Sequence, residues 1–433
     1  MITIQSDNPA IEKEIRFLEK TITENGGKLD PRLVIHCENG SLSVMRDGLQ
    51  MPGTPLMALP GEILLPAETM QLSVKGNAIE MAPDKDVLTP VQYELAASML
   101  SLYNLTDKIA IHEKTCPWVS FRAAPDALDA ILKSRTVNEN QEKMFSYTKQ
   151  EDSAPTRESF LCDTYIKTRV IGRKEIDRET DTKTLTMRIM PIVDFINHNY
   201  NAGHFNFSAG FQKDQPEREF LMIANSQPIL ESRECFAFYN QMDAIDAYLH
   251  YGFPDARAPI VRSVPMEIAI PKTGKLIVNS IMSPWKKGKL AKHVMGIQVF
   301  IPQTLRNEDG VLEVSHLIIP GTNAPQGLRR VLRLVISNMT PHALSQDEIW
   351  DATLAAEEQV INTNLSFYES LVAKADAALA SVSEPAARAC WEQTRSLATL
   401  QLTKLYKYVF YKEYYEREDV QTLHDADPAS AAA

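Results

Sequence analysis

Two stretches hold the residues whose types and spacing bear on chemistry. "PIVDFINHNYNAGHFNF", Pro191 to Phe207, sets Asn197 and His198 inside an apolar run and follows them with Asn199, Asn201, His204 and Asn206. "ESRECFAFYNQMDAIDAYLHYGFPD" carries Tyr239 at the end of a strand-like segment and Tyr251 in "YGF" after a short helical one. None of these is a strong nucleophile at neutral pH. An amide, an imidazole and two phenols can all donate and accept hydrogen bonds. Taken alone, Asn197 and His198 read as a buried pair tying crossing loops together by hydrogen bonds, and the tyrosines as core aromatics with hydroxyls at the rim.

Other chemistries lack their motifs. There is no GxGxxG after a strand, no Walker loop, no GxSxG and no HExxH, and "ENGGKL" lacks the Lys-Ser/Thr ending of a phosphate loop. The five cysteines, Cys37, Cys116, Cys162, Cys235 and Cys390, show no CxxC or Cys/His spacing. They read as buried thiols in a reducing compartment, with no metal site implied. Fifty-six acidic against 45 basic residues give a net charge of −11, which nucleic acid and anionic lipid would repel. The one basic run, "SPWKKGKLAKH", reads as a solvated loop and helix start. No signal-peptide pattern opens the chain and no apolar run reaches membrane-spanning length, so a cytoplasmic protein with neither membrane nor nucleic-acid partner is expected.

At 433 residues the chain exceeds one ordinary core, and two domains are expected. "PAIEKEIRFLEKTITE" predicts a helix over residues 9–24, with Ile11, Ile15, Phe17, Leu18 and Ile22 near helical spacing and "NGG" ending it. Short apolar runs from Leu33 to Leu65 ("LVIH", "SLSVM", "PLMAL", "EILLP") predict strands and turns. Residues 91–147 read as mostly helical, 158–171 as another helix, and "GRKEIDRETDTKT" as a loop or hairpin. Strands are expected at "TMRIMPIVDFI", "EFLMIAN", "ECFAFYN", "MEIAI", "KLIVN" and "IQVFIP", and long helices from Gly327 to Arg417. In the last helix Leu397, Leu400, Leu405 and Val409 form a broad apolar face.

In this order the segments resemble the SET-domain methyltransferases, in the subgroup of Rubisco large-subunit lysine methyltransferase and actin-histidine methyltransferase. Pro191, Asp194, Asn197 and His198 match that subgroup's "PxxDxxNH". Tyr239 and the segment Tyr251 to Phe253 match the two tyrosine steps that follow. "LCDTYIKTRVI" is similar to the family helix that ends on an arginine, here Arg169, and "ENGSLSVMRDGLQMPGTPLMALPGEILLP" is similar to the family's opening strands. The region from "VINTNLSFYES" to "LYKYVFYKE" resembles the helical domain that follows the SET domain.

The resemblance implies an α+β fold: a β-rich SET domain over residues 1–260 with a helical insertion at about 88–150, then a mainly helical domain over 261–433 that holds a protein substrate. It implies S-adenosylmethionine as cofactor and N-methylation of a lysine, with histidine as the other target type. Glu38, Gly40, Arg169, Asp194, Asn197, His198 and Tyr239 are implied for cofactor binding, and Tyr239 and Tyr251 for the methyl-transfer channel. Ser41 replaces the second glycine of the opening motif, Asn240 the glycine after the strand tyrosine, and Ala244 a downstream asparagine. Ile171 stands where the lysine enzymes have phenylalanine and the actin enzyme asparagine. These departures leave a second reading open: a SET fold that binds a partner without transferring a methyl group.

Overall fold

The computed structural model describes residues 1–48, 55–81, 88–137, 142, 144, 148, 156–176, 183–224, 233–281, 300–321, 326–339 and 344–417. These residues have the expected α+β character, with strands interleaved among helices before residue 320 and helices alone after it. The basic run at 283–293, the strand expected from residue 297 and the last 16 residues lie outside or partly outside the described set. By contacts the chain groups into two compact units, residues 1–115 with 152–241 and residues 116–151 with 242–433.

In the first unit, strand β1 (Thr3–Ser6) leads into helix α1 (Pro9–Glu24). Asn8 caps α1 by accepting from the Ala10 amide at 3.0 Å, and Pro9 opens it, where no helical amide is needed. Ile11, Ile15, Leu18 and Ile22 are buried about one turn apart, as the spacing predicts, whereas Phe17 is only half-buried. The helix ends at Asn25, and Gly26 at φ 85° turns the chain away. β2 (Lys28–Leu29), β3 (Leu33–Glu38), β4 (Ser41–Arg46), β5 (Pro55–Pro60) and β6 (Leu65–Pro66) follow. In "EILLP" the expected strand is cut short: residues 61–63 form a 3₁₀ turn, leaving only Leu65–Pro66 extended. β7 (Leu72–Lys75) and β8 (Ala78–Met81) form a hairpin, and α2 (Pro90–Leu105) and α3 (Lys108–Thr115) close this half of the unit.

The helix expected over 158–171 ends at Arg169. It is helical at Arg157–Phe160, widens to a π turn at Leu161–Tyr165 and tightens to 3₁₀ at Ile166–Arg169. The Thr164 hydroxyl donates to the Phe160 carbonyl at 2.8 Å, competing with the backbone ladder where it widens. Val170 and Ile171, both β-branched, instead begin β9 (Val170–Ile176), which pairs antiparallel with β10 (Lys183–Ile189). "GRKEIDRETDTKT" is therefore the hairpin alternative, its residues 177–182 outside the described set.

"TMRIMPIVDFI" is not one strand. β10 stops at Ile189, the chain turns at Pro191 to Val193, and a 3₁₀ turn covers Val193–Phe195. The turn places Ile192 at φ 63° and ψ −46°, with the Val193 amide donating to the Pro191 carbonyl at 2.7 Å. That is a γ-turn of the strained hand, rare for a β-branched residue and held by burial of Ile192 and Val193. β11 (Asn197–His198), β12 (Phe205–Ala209), β13 (Glu219–Ala224) and β14 (Phe236–Ala237) complete the unit.

The second unit begins with α4 (Pro117–Ser120) and α5 (Pro125–Leu132) and resumes at α6 (Ala244–Tyr251). β15 (Ile260–Arg262), β16 (Met266–Ile270), β17 (Gly274–Val278), β18 (Thr304–Arg306), β19 (Leu312–Val314) and β20 (Ile318–Pro320) make a two-stranded and a four-stranded sheet. Of "IQVFIP" the described residues 300–302 are not extended strand, which starts only at Thr304. α7 (Gln326–Met339), α8 (Gln346–Ser381) and α9 (Pro385–Arg417) are the expected long helices. On α9 Leu397 and Leu405 are fully buried, whereas Leu400 and Val409 are half-buried.

This grouping cuts across the 1–260 span expected for the β-rich domain, and a buried ion network shows why residues 116–137 and 243–262 associate. Arg135, whose side chain is 0% exposed, donates to both oxygens of Asp243 at 2.8 and 2.7 Å and through Nε to Asp246 at 2.7 Å. Arg262 Nε donates to the other Asp246 oxygen at 2.7 Å. Asp243 also caps α6, accepting from the amides of Ile245 and Asp246. Burial opposes ionisation of Asp246, yet Arg135 and Arg262 hold its carboxyl below the usual range.

Candidate functional site

In the first unit, the two sequence motifs around Asn197 and Tyr239 meet. β11 and β14 pair in parallel, Asn197 opposite Phe236 and His198 opposite Ala237. The pairing continues outward: the Asn199 amide donates to the Ala237 carbonyl at 3.1 Å and the Phe238 amide to the Gly203 carbonyl at 2.8 Å. On the other side, the Cys235 amide donates to the Val44 carbonyl at 2.8 Å, which ties this segment to β4. The segment 233–239 thus lies between the opening strands and the Asn-His strand.

Side chains lock the junction. His198 Nδ1 accepts the Tyr239 backbone amide at 3.1 Å, so in the neutral ring the proton sits on Nε2. The Tyr239 hydroxyl donates to the Ile196 carbonyl, so toward any ligand its oxygen acts as an acceptor. Tyr239 stacks on Phe205 with ring centroids 6.1 Å apart. Asn197 is exposed and its amide donates to Glu234 Oε1 at 2.6 Å. Among the remaining polar residues of the stretch, Asn199 accepts the Asn201 amide at 2.9 Å within a turn, and His204 packs edge-on against Phe238 at 4.4 Å. Asn206 lies in β12.

Arg169 and Asp194 also come together. Arg169 Nη1 donates to Asp194 Oδ2 at 2.9 Å, and the Tyr103 hydroxyl donates to the same oxygen at 2.9 Å. The guanidinium lies over the Tyr165 ring, 4.3 Å from its centroid, and 5.3 Å from that of Tyr103. Burial, and then the Asp194 charge, push the Tyr103 phenol well up. Asp194, expected as a cofactor ligand, has its carboxylate on Arg169 and Tyr103, where it positions the arginine. Next to them His112 Nε2 donates to the Thr164 hydroxyl at 2.8 Å; burial and the Arg169 charge push this histidine down to about 3.

Glu38 ends β3 with an exposed side chain, opposite Ser41 in the β3–β4 hairpin. Asn39 at φ 52° and Gly40 at φ 81° form the two-residue turn. The Gly40 carbonyl accepts the Asp107 amide at 2.9 Å, and a Cβ on Gly40 would come within 3.3 Å of that nitrogen. Ser41 is simply the first residue of β4. Asn240 is not among the residues with positive φ, so no glycine-like backbone is needed there.

Tyr251 belongs to the second unit. It ends α6, whose C-cap is Gly252 at φ 78°, and its ring stacks on Phe253 with centroids 5.9 Å apart. Burial pushes its phenol up to about 12, so it is protonated at neutral pH. Sequence reasoning missed Tyr103, Tyr165, Lys108 and Glu234 in the first unit and Arg135 in the second. Tyr103, Glu234 and Arg135 lie 91, 37 and 108 residues from Asp194, Asn197 and Asp243, and Tyr165, although in the same helical segment as Arg169, carries no motif that announces its ring beneath the guanidinium.

In the first unit Arg169 keeps a buried Nε without a hydrogen-bond partner, a donor of the kind that a carboxylate of a cofactor's amino-acid end would accept from. No group of His, Cys, Asp and Glu able to hold a metal occurs among the described residues, and no described helix is long and apolar enough to cross a membrane. No family model and no curated protein matches the chain. Among solved structures it is similar to a crystal structure of the SET domain of LSMT bound to lysine and AdoHcy, at 11% identity and TM-score 0.40, covering 98% of this chain and 99% of that one. A second, of the same domain bound to MeLysine and AdoHcy, gives 10% identity, the same TM-score and the same coverage. Likeness of that degree leaves fold family and activity to be argued from the residues.

Proposed function

We propose that the protein is an S-adenosylmethionine-dependent protein N-methyltransferase of the SET type, acting on lysine. The observation that carries this reading is the junction of the two motifs. Residues 197–198 and 236–239, some 40 positions apart, share one parallel pairing in which His198 takes the Tyr239 amide and Tyr239 reaches the Ile196 carbonyl. The resemblance asks that these segments lie together.

When bound, the cofactor supplies a methyl group on a sulfonium. In this reading the backbone around Asn197 and His198 holds the adenosyl part, and Arg169, steadied by Asp194 and Tyr103, holds the amino-acid end. Tyr239, whose hydroxyl donates its hydrogen bond to the Ile196 carbonyl, offers an oxygen acceptor that orients the methyl and the incoming nitrogen. Tyr251 is assigned to the channel on the sequence resemblance alone. A lysine entering beside a sulfonium out of water has its pKa lowered toward the free amine that the reaction needs. Orientation and exclusion of water supply the catalysis, an effect of about 7–11 kcal/mol where alignment is good. The helical C-terminal region is assigned to the protein substrate, and the five free thiols fit a reducing, cytoplasmic setting.

A second reading, a SET fold that binds a partner without catalysis, is favoured by one observation. The Asn197 amide and the Arg169 guanidinium both have partners within the protein, Glu234 and Asp194. Calorimetric titration with S-adenosylmethionine separates the two. Saturable binding that Asn197→Ala weakens supports the methyltransferase; no binding by the folded protein at millimolar ligand sinks it. Labelled methyl transfer into a lysate protein, lost in Tyr251→Phe, tests the channel assignment.

A further inference from the structure

Among the described residues of the first unit, the buried side-chain atoms without a hydrogen-bond partner are Asp107 Oδ1, Tyr165 Oη and Arg169 Nε. Buried polar atoms are almost always satisfied, by protein, water or ligand. These three belong to one neighbourhood. The Arg169 guanidinium lies 4.3 Å from the Tyr165 ring centroid, and the charges of Arg169 and Asp107 both act on Tyr165. Asp107 is fixed from two sides: its amide donates to the Gly40 carbonyl at 2.9 Å, and its own carbonyl accepts the Ile111 amide at 2.8 Å as α3 begins. Lys108 follows it, half-buried, within reach of the charges of Arg169, Asp194, Asp107 and Glu234.

The inventory is two donors, one acceptor and an adjacent ammonium, the complement of a group carrying both a carboxylate and an ammonium. We propose that Asp107 and Lys108, at the start of α3, bind the amino-acid end of the methyl donor together with Arg169. Asp107 accepts from the ligand ammonium, while Lys108 and Arg169 Nε donate to its carboxylate, with the Tyr165 hydroxyl beside them. Glu38, which the resemblance implies for cofactor binding, is exposed at the hairpin tip, whereas Asp107 offers a buried carboxylate oxygen. Burial and the nearby Arg169 both disfavour a charged Lys108, and an arriving carboxylate offsets both. The inference rests on the proposed cofactor.

The test compares S-adenosylhomocysteine with 5′-methylthioadenosine, which keeps the adenosyl and sulfur but lacks the amino-acid end. Both are titrated calorimetrically into the wild type, Asp107→Asn and Lys108→Met, with thermal unfolding checked for each. The expected result is at least tenfold weaker binding of S-adenosylhomocysteine by each variant, with methylthioadenosine changed less than twofold. Equal loss for both compounds, or unchanged affinity for S-adenosylhomocysteine, overturns the assignment and leaves the three atoms to ordered water. If Asp107→Asn does not fold, Lys108→Met decides alone. A wild type that binds neither compound removes the proposed cofactor itself, and this inference with it.

Discussion

His112 shows how much of the first unit's behaviour depends on single buried groups. Its imidazole lies among the rings of Phe160 and Tyr165, with centroids 5.7 and 5.4 Å away, and is hydrogen-bonded through Nε2 to Thr164. Charging it in place would set a cation out of water near Arg169, so its pKa falls from 6.5 to about 3. Between those values the unfolded chain binds a proton that the folded chain refuses. Stability contributed by the neutral ring is therefore present above pH 6.5 and falls as the pH drops toward 3. The slope is at most about 1.4 kcal/mol per pH unit for one such group. Urea unfolding followed by circular dichroism at pH 7 and pH 5 measures it. The wild type should lose more stability over that interval than His112→Gln, and equal losses would mean that the histidine is charged in the folded state. Such a group has no local signature: "IAIHEK" reads the same whether the histidine is buried or exposed.

At the scale of elements, the β3–β4 hairpin and α1 were legible because their determinants are local. Asn39-Gly40 is a turn sequence with a mechanism, since both residues must take positive φ, and they do, at 52° and 81°. Gly40→Ala tests this directly. An alanine at φ 81° meets the left-handed penalty of about 1–2 kcal/mol, and its Cβ lies 3.3 Å from the Asp107 nitrogen. Destabilisation of about that size in urea, without change in the dependence on denaturant, is expected; a neutral result would show that the turn relaxes. The elements that were misjudged are those decided by distant partners. Residues 158–171 are helical in composition, yet Val170 and Ile171 go to β9 because Ile189 and Arg188 of β10 stand opposite them. "TMRIMPIVDFI" looks like one strand, but Pro191 and the γ-turn at Ile192 divide it, and that division is what brings Asp194 to Arg169. Asn197, His198 and Tyr239 could be singled out from motif order. The Tyr103 hydroxyl on Asp194, donated from a helix 91 residues earlier, could not.

At the scale of the molecule, the second unit draws on two separated stretches of chain, and Arg135 joins them through buried charge. Its guanidinium is fully enclosed and joined to Asp243 and Asp246, which lie 108 and 111 residues later, while Asp243 starts the helix that carries Tyr251. Two buried carboxylates depend on that cation as an ion-pair partner. In Arg135→Met the side chain is of similar length and fits an apolar surrounding, but Asp246 keeps only the Arg262 guanidinium as a cationic partner, and Asp243 keeps only the backbone amides of Ile245, Asp246 and Arg262. Breaking a buried pair by removing one partner costs about 3–5 kcal/mol, more than exposed ion pairs contribute. The described tryptophans, Trp118, Trp350 and Trp391, all belong to this unit, so tryptophan fluorescence in urea reads its unfolding. The expected result is a midpoint lowered in Arg135→Met by that amount. The double variant Arg135→Met, Asp243→Asn should recover part of the loss, because it removes one of the uncompensated charges while keeping an acceptor for the α6 cap. Recovery would place the cost in the buried carboxylates; a double variant as unstable as the single would place it in the lost packing of the arginine itself.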